Sequence, residues 1–222
     1  MKGRDVMVQR GWVKTIAISA VPFFYAVGLA GHLFQITRPM MLTLTPYFLL
    51  IFGLIPLVPL IRESGWGVIL WSASTLVITF FLEALGTHSG WVFGPYTYGP
   101  TLGIKLLNVP VVIALNWLIV IVAALRLARS IRNPFLVSLV VGAAAALFDF
   151  VMEPVAISLD YWFWHTPKIP LQNYLAWFTI AFLAALVFRL CRLKVGTRIP
   201  LIYVVVQFIF FLVLRIALVA KL

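Results

Sequence analysis

Acidic residues are scarce in this chain: six among 222, against seventeen lysines and arginines. Charge of either sign is rare, at 10% of residues, while hydrophobic side chains make up 64% and mean hydropathy is +1.10. That composition lies far outside the soluble globular range, so 1–222 reads as a single integral membrane domain with no room for a separate soluble one. A lone cysteine, Cys191, excludes an internal disulfide and any cysteine-rich metal site. The three histidines, His32, His88 and His165, match no ligand spacing and are too scattered for the His-rich di-iron site of membrane desaturases, so no metal is expected. A glycine-rich phosphate loop is missing, as is any Ser-His-Asp order. The net charge of +11 is weak evidence for nucleic acid, because basic residues in such chains mark cytoplasmic loops, and no nucleic-acid partner is expected.

What is present is a series of long apolar runs. At about 20 residues per span, they predict an all-α bundle of seven transmembrane helices near 15–35, 43–61, 67–87, 107–127, 134–155, 171–190 and 199–220. Asn133-Pro134 reads as an N-cap followed by proline at the first helical position. Pro110, Pro170 and Pro200 lie near helix starts, Pro154 lies near the end of its helix, and Pro56 and Pro59 are expected to bend the second. The N-terminus has the basic residues of a signal peptide, but its apolar run is too long and lacks a small-residue cleavage site. It reads as an uncleaved first helix. None of the six lysines falls mid-helix, which excludes a retinal Schiff base.

With these spans, twelve basic residues share one side: Lys2, Arg4, Arg10, Lys14, Arg62, Arg126, Arg129, Arg132, Arg189, Arg192, Lys194 and Arg198. The other side holds Arg38, Lys105, Lys168, Arg215 and Lys221. The excess predicts a cytoplasmic N-terminus and an outer C-terminus, in a prokaryotic cell membrane.

Three of the six acids, Glu83, Asp149 and Glu153, fall inside or at the ends of spans. An ionised carboxylate there is unfavourable by several kcal/mol, so each is a functional-site candidate. Glu83 lies near the outer end of the third helix, closing a stripe of Ser72, Thr75 and Thr79 at helical spacing. Asp149 is roughly 22 Å along the fifth helix, and Glu153 follows one turn later on the same face. His32, His88, His165, Asn108 and Asn173 fall on that outer side too. Two aromatic loops also open there, one with Trp91, Phe93, Tyr96 and Tyr98, the other with Tyr161, Trp162, Phe163 and Trp164. Several separate segments thus deliver polar and aromatic groups to one depth.

A faint internal echo accompanies this. Each acid-ending helix is followed by an aromatic loop, then by Val109-Pro110 or Ile169-Pro170, with Trp117 or Trp177 seven residues beyond the proline. Plainer readings compete. Arg215, roughly 24 Å from the inner end of the last helix, is at the right depth to neutralise one of the acids. Any single tryptophan fits an interfacial belt. Gly99 and Gly103 have GxxxG spacing but lie in a loop, which does not support a dimer motif.

The run from Glu83 through Gly86, Trp91, Phe93, Gly94-Pro95, Tyr96 and Tyr98, then Leu102-Gly103, Val109-Pro110 and Asn116-Trp117, resembles a family. It is the membrane carotenoid-biosynthesis proteins that hydrate terminal isoprene units, the gamma-carotene and bisanhydrobacterioruberin hydratases among them. Asp149, Glu153-Pro154, Trp162-Phe163-Trp164, Ile169-Pro170, Asn173 and Trp177 continue the match, which covers roughly residues 70–180. The chain departs from the family pattern at Glu153, where the family has Asp, and at Lys168, where it usually has Gly.

The resemblance implies addition of water across the terminal trisubstituted double bond of an acyclic carotenoid. The residues suit that chemistry. A carboxylic acid in an apolar pocket can stay protonated near neutral pH and protonate the alkene at its less substituted carbon, giving a tertiary cation. Aromatic faces stabilise that cation, and a second carboxylate orients or deprotonates water. Glu83 and Asp149 are the expected acid–base pair, with Glu153 a supporting or alternative member. Asn116 and Asn173 are candidates to position water, and Trp91, Phe93, Tyr96, Trp162, Trp164 and Trp177 to line the substrate pocket. The implied partners are the carotenoid, water and membrane lipid, and no cofactor is needed. Two other functions fit the same carboxylates: a carotenoid end-group cyclase, and a proton-coupled transporter or lipid-binding membrane protein. The placement of the acids near one face and the parallel sense of the repeat count against the transporter.

Overall fold

The computed structural model describes residues 2–219. Of the basic residues used in the orientation argument, Lys221 and the side chains of Lys2, Arg4, Arg10 and Lys14 lie outside the described residues. The helices are α1 (Lys2–Leu33), α2 (Arg38–Leu54), α3 (Leu57–Glu63), α4 (Trp66–Ser89), α5 (Val111–Leu127), α6 (Pro134–Ser158), α7 (Leu171–Leu190) and α8 (Ile199–Leu214), the last continuing as a π turn, Arg215–Val219. Six stretches among the described residues are long and apolar enough to cross a membrane, with Arg38–Glu63 counted as one through its break. The first expected span corresponds to α1, whose apolar part, Ile18–Leu33, is shorter. The protein is a polytopic helical membrane bundle.

Local chemistry explains the boundaries. The Asn133 side chain accepts from the Phe135 and Leu136 amides at 2.9 and 3.2 Å, with Pro134 at the first helical position. Pro110 and Pro170 cap α5 and α7 in nearly the same extended conformation. The second expected span breaks at Ile55-Pro56, dividing α2 from α3. Gly90 ends α4 in the left-handed conformation that glycine adopts without strain.

Helix α5 is apolar on all sides and almost wholly buried, so it forms the centre of the bundle. Around it pack α2, α4, α6 and α8, while α7 lies along α6 and α1 along α8. The expected start of this helix near 107 is corrected to Val111, because Lys105–Leu106 (β2) and Val109–Pro110 (β3) form a hairpin. Its turn residues, Leu107 and Asn108, both have positive φ, as a tight two-residue hairpin requires.

The two aromatic loops also depart from the all-helical expectation. Tyr96–Tyr98 (β1) and Trp162–Trp164 (β4) pair antiparallel, with Tyr96 opposite Trp164 and Tyr98 opposite Trp162. At Gly99 the amide donates to the Tyr161 carbonyl at 2.8 Å, and the backbone passes so close to Asp160 that any Cβ would strike its carbonyl oxygen. This ribbon covers the end of the bundle where α4 and α6 finish and α5 and α7 begin.

Arg215 does not reach an acid. It donates to the Phe150 carbonyl and stacks over the Phe150 ring, 4.3 Å from its centroid. The reason lies one turn along α6. Pro154 has no N–H to give to the carbonyl four residues back, and that carbonyl is Phe150's.

Candidate active site

Strand alternation places the side chains of Tyr96 and Tyr98 on one face of the ribbon, and those of Trp162 and Trp164 beside them. Beneath that face lie the three membrane acids, exposed by only 3% (Glu83), 1% (Asp149) and 2% (Glu153). All three line one chamber with a cavity of about 20 Å³, room for about one water.

Each glutamate is held in the same manner by one strand. Tyr96 and Tyr98 both donate their hydroxyls to Glu83 Oε2, the second at 2.8 Å. Trp162 and Trp164 both donate their indole N–H to Glu153 Oε2, at 3.0 and 2.9 Å. Asn173, near the start of α7, joins the acids of α6 by donating to Asp149 Oδ2 at 2.5 Å and Glu153 Oε1 at 3.0 Å. Burial, and then the adjacent Glu83 carboxylate, push both tyrosines well above the ordinary phenol value, so they remain protonated donors. Among the described residues, no lysine or arginine lines the chamber.

The floor is aromatic. Trp117 and Trp177 stack with centroids 3.5 Å apart and planes within 15°. Phe93 stacks on the other face of the pile at 5.0 Å from Trp177. Gly86 permits this, since a Cβ there would lie 2.5 Å from the Phe93 ring.

The carotenoid biosynthesis protein family matches residues 44–222, most of the chain. The protein belongs to that family. It is also similar to the bisanhydrobacterioruberin hydratase of Haloarcula japonica, at 30% identity over 179 residues. That alignment covers 71% of this chain but 58% of the relative, so the chain spans little more than half the relative's length. No solved structure matches the chain.

Of the residues singled out in this family member from its sequence, Glu83, Asp149, Glu153, Phe93, Tyr96, Trp162, Trp164, Asn173 and Trp177 line the chamber. Two do not. Trp91 is 82% exposed on the turn after α4, where its carbonyl accepts from Gln172. Asn116 is half-buried on α5, one residue before Trp117, and is not among the residues that line the chamber.

Tyr98, Ile113, Trp117 and Met152 also line the chamber and were not singled out as site residues. The two-residue alternation of a strand carried the signal for Tyr98, and the Pro-to-Trp echo carried it for Trp117. Ile113 and Met152 are ordinary apolar residues with no such mark.

The histidines lie apart: His32 Nδ1 bonds the Gly28 carbonyl, His88 is exposed, and His165 pairs with Thr97 at 2.6 Å outside the ribbon. On α4, the Thr79 hydroxyl turns back on the Thr75 carbonyl at 2.9 Å, serving its own helix rather than the chamber.

Proposed function

We propose that this protein is a carotenoid hydratase, adding water to the terminal C=C of an acyclic carotenoid. The observation that carries this reading is the group of three buried carboxyl groups, with no cationic partner among the described residues, in an aromatic chamber with room for about one water. Three negative charges together in so dry a space would repel strongly, so at least one carboxyl there carries a proton.

The hydrogen bonds divide the roles. Glu153 accepts from two indole N–H groups and the Asn173 amide N–H, all acting as donors, and is held as the fixed carboxylate. Asp149 has a single donor, shared with that anion through Asn173, and is the carboxylic acid. Glu83 accepts two phenols on one oxygen, which leaves Oε1 to take a proton from water. Asp149 then protonates the less substituted alkene carbon, and the tertiary cation forms over the Trp117–Trp177 stack and near the Glu153 charge. Water attacks the cation as Glu83 takes its proton. The net change is one H and one OH added. No cofactor enters this scheme. The chamber is too small for a polyene end as it stands, so side chains lining it must move on substrate entry.

The reading places seven helices in a prokaryotic membrane, the N-terminus cytoplasmic and the chamber near the outer leaflet. The excess of basic residues on one side supports it.

Membranes containing the protein, supplied with an acyclic carotenoid in deuterium oxide, should yield a product one water heavier. It should carry one non-exchangeable deuterium beside the new hydroxyl-bearing carbon. Unchanged carotenoid, or a cyclised isomer of unchanged mass, would overturn the proposal.

A further inference from the structure

A second cavity, about 240 Å³, lies between α1, α2 and α8, away from the acidic chamber. Its lining is mostly apolar, and partly exposed Phe24, Val27 and Leu44 open it sideways towards the lipid-facing surface. A space of about 10–15 Å³ suffices for one water, so this cavity is far larger than water requires. Apolar cavities of about 150 Å³ hold a molecule the size of benzene.

Two polar side chains in its wall are left incomplete. His32 is 5% exposed and Gln207 1%, yet His32 Nε2 and Gln207 Oε1 have no partner among the described residues. Neighbouring hydroxyls are engaged: Tyr25 donates to Tyr203 at 3.1 Å, and Thr45 donates to the Met41 carbonyl at 2.8 Å. Both orphans are acceptors. His32 Nδ1 lies 2.7 Å from the Gly28 carbonyl, which can only accept, so Nδ1 carries the hydrogen and Nε2 presents a lone pair. Gln207 Oε1 is an amide oxygen, which can only accept. Among the described residues the cavity thus offers two unpaired acceptors, a setting that favours a ligand with an O–H.

We propose that this cavity binds an apolar chain bearing a hydroxyl group, entering from the bilayer between α1 and α2 and donating to Gln207 Oε1 or His32 Nε2. The site is independent of the hydration chemistry assigned to the acidic chamber. A buried acceptor left unpaired is unfavourable, so the hydroxyl should set the preference.

Native mass spectrometry of the detergent-solubilised protein, titrated with farnesol and with the hydrocarbon farnesene, tests this. Farnesol should bind about tenfold more tightly. A Gln207→Leu/His32→Leu variant should lose that preference while still binding farnesene, which shows that the cavity is intact. If the double variant does not fold, Leu44→Trp, which blocks the mouth from the lipid side, should abolish binding of both. Dodecan-1-ol separates the sources: weaker binding than farnesol indicates a branched isoprenoid alcohol, equal binding a straight-chain lipid alcohol. Equal affinity for farnesol and farnesene, a preference that survives the double variant, or no effect of Leu44→Trp would overturn the proposal.

Discussion

The stretch from α4 to α5 and the stretch from α6 to α7 are built on one plan and differ where chemistry is done. Each runs from a helix ending near a glutamate, through a strand giving two aromatic donors to that glutamate, to a proline-capped helix with a tryptophan seven residues on. The two strands pair, and the two tryptophans stack. The two halves therefore share a common plan at this end of the bundle. Their side chains differ. The first half uses phenols, which can both donate and accept, and the second uses indoles, which only donate. Four residues before the glutamate the first half has Thr79 and the second Asp149. Three residues after the proline they have Ile113 and Asn173. A repeated frame thus gives two carboxyl groups one placement, and the departures from symmetry give them different hydrogen-bond partners.

The largest test of that difference is Asp149→Asn against Thr79→Ala. Loss of a general acid should lower product formation by about 10²–10⁴-fold, whereas Thr79→Ala, removing a hydroxyl bonded to its own helix, should change it little. Glu83→Gln should resemble Asp149→Asn. Chromatography with mass spectrometry of extracted carotenoids measures all three, and full conversion by Glu83→Gln or Asp149→Asn would remove that residue from the mechanism.

A smaller contrast separates the strands. Tyr96→Phe should reduce turnover by about tenfold with little change in the melting midpoint of the solubilised protein. Trp164→Phe should instead lower the midpoint more than the rate, because it weakens the grip on a fixed carboxylate. Matching behaviour of the two variants would break the comparison.

Pairing of the halves depends on close backbone approach. Gly99→Ala places a Cβ about 2.0 Å from the Asp160 carbonyl oxygen. It should destabilise the ribbon by about 1–3 kcal/mol, visible as faster amide exchange in β1 and β4. The mildest probe leaves the chamber untouched. Cys191, exposed just beyond α7 at the opposite end of the bundle, should react with a membrane-impermeant maleimide only from the cytoplasmic side. Labelling from outside would reverse the proposed orientation.

The amino-acid sequence alone determined the membrane class, six of the span positions to within a few residues, and the gathering of acids and aromatics at one depth. These follow from local composition and from the fixed rise of a helix, so they need no knowledge of neighbours. It also carried the Pro-to-Trp echo, because a repeated frame leaves repeated spacing. Tertiary structure decided the rest. Which faces of α4, α6 and α7 meet, the register of β1 on β4, and the exclusion of Asn116 from the chamber all depend on contacts between segments far apart in the chain. Arg215 shows the reason most directly: its depth matched the acids, yet its partner is the Phe150 carbonyl that Pro154 leaves unbonded, and only the packing of the π turn against α6 brings the two together.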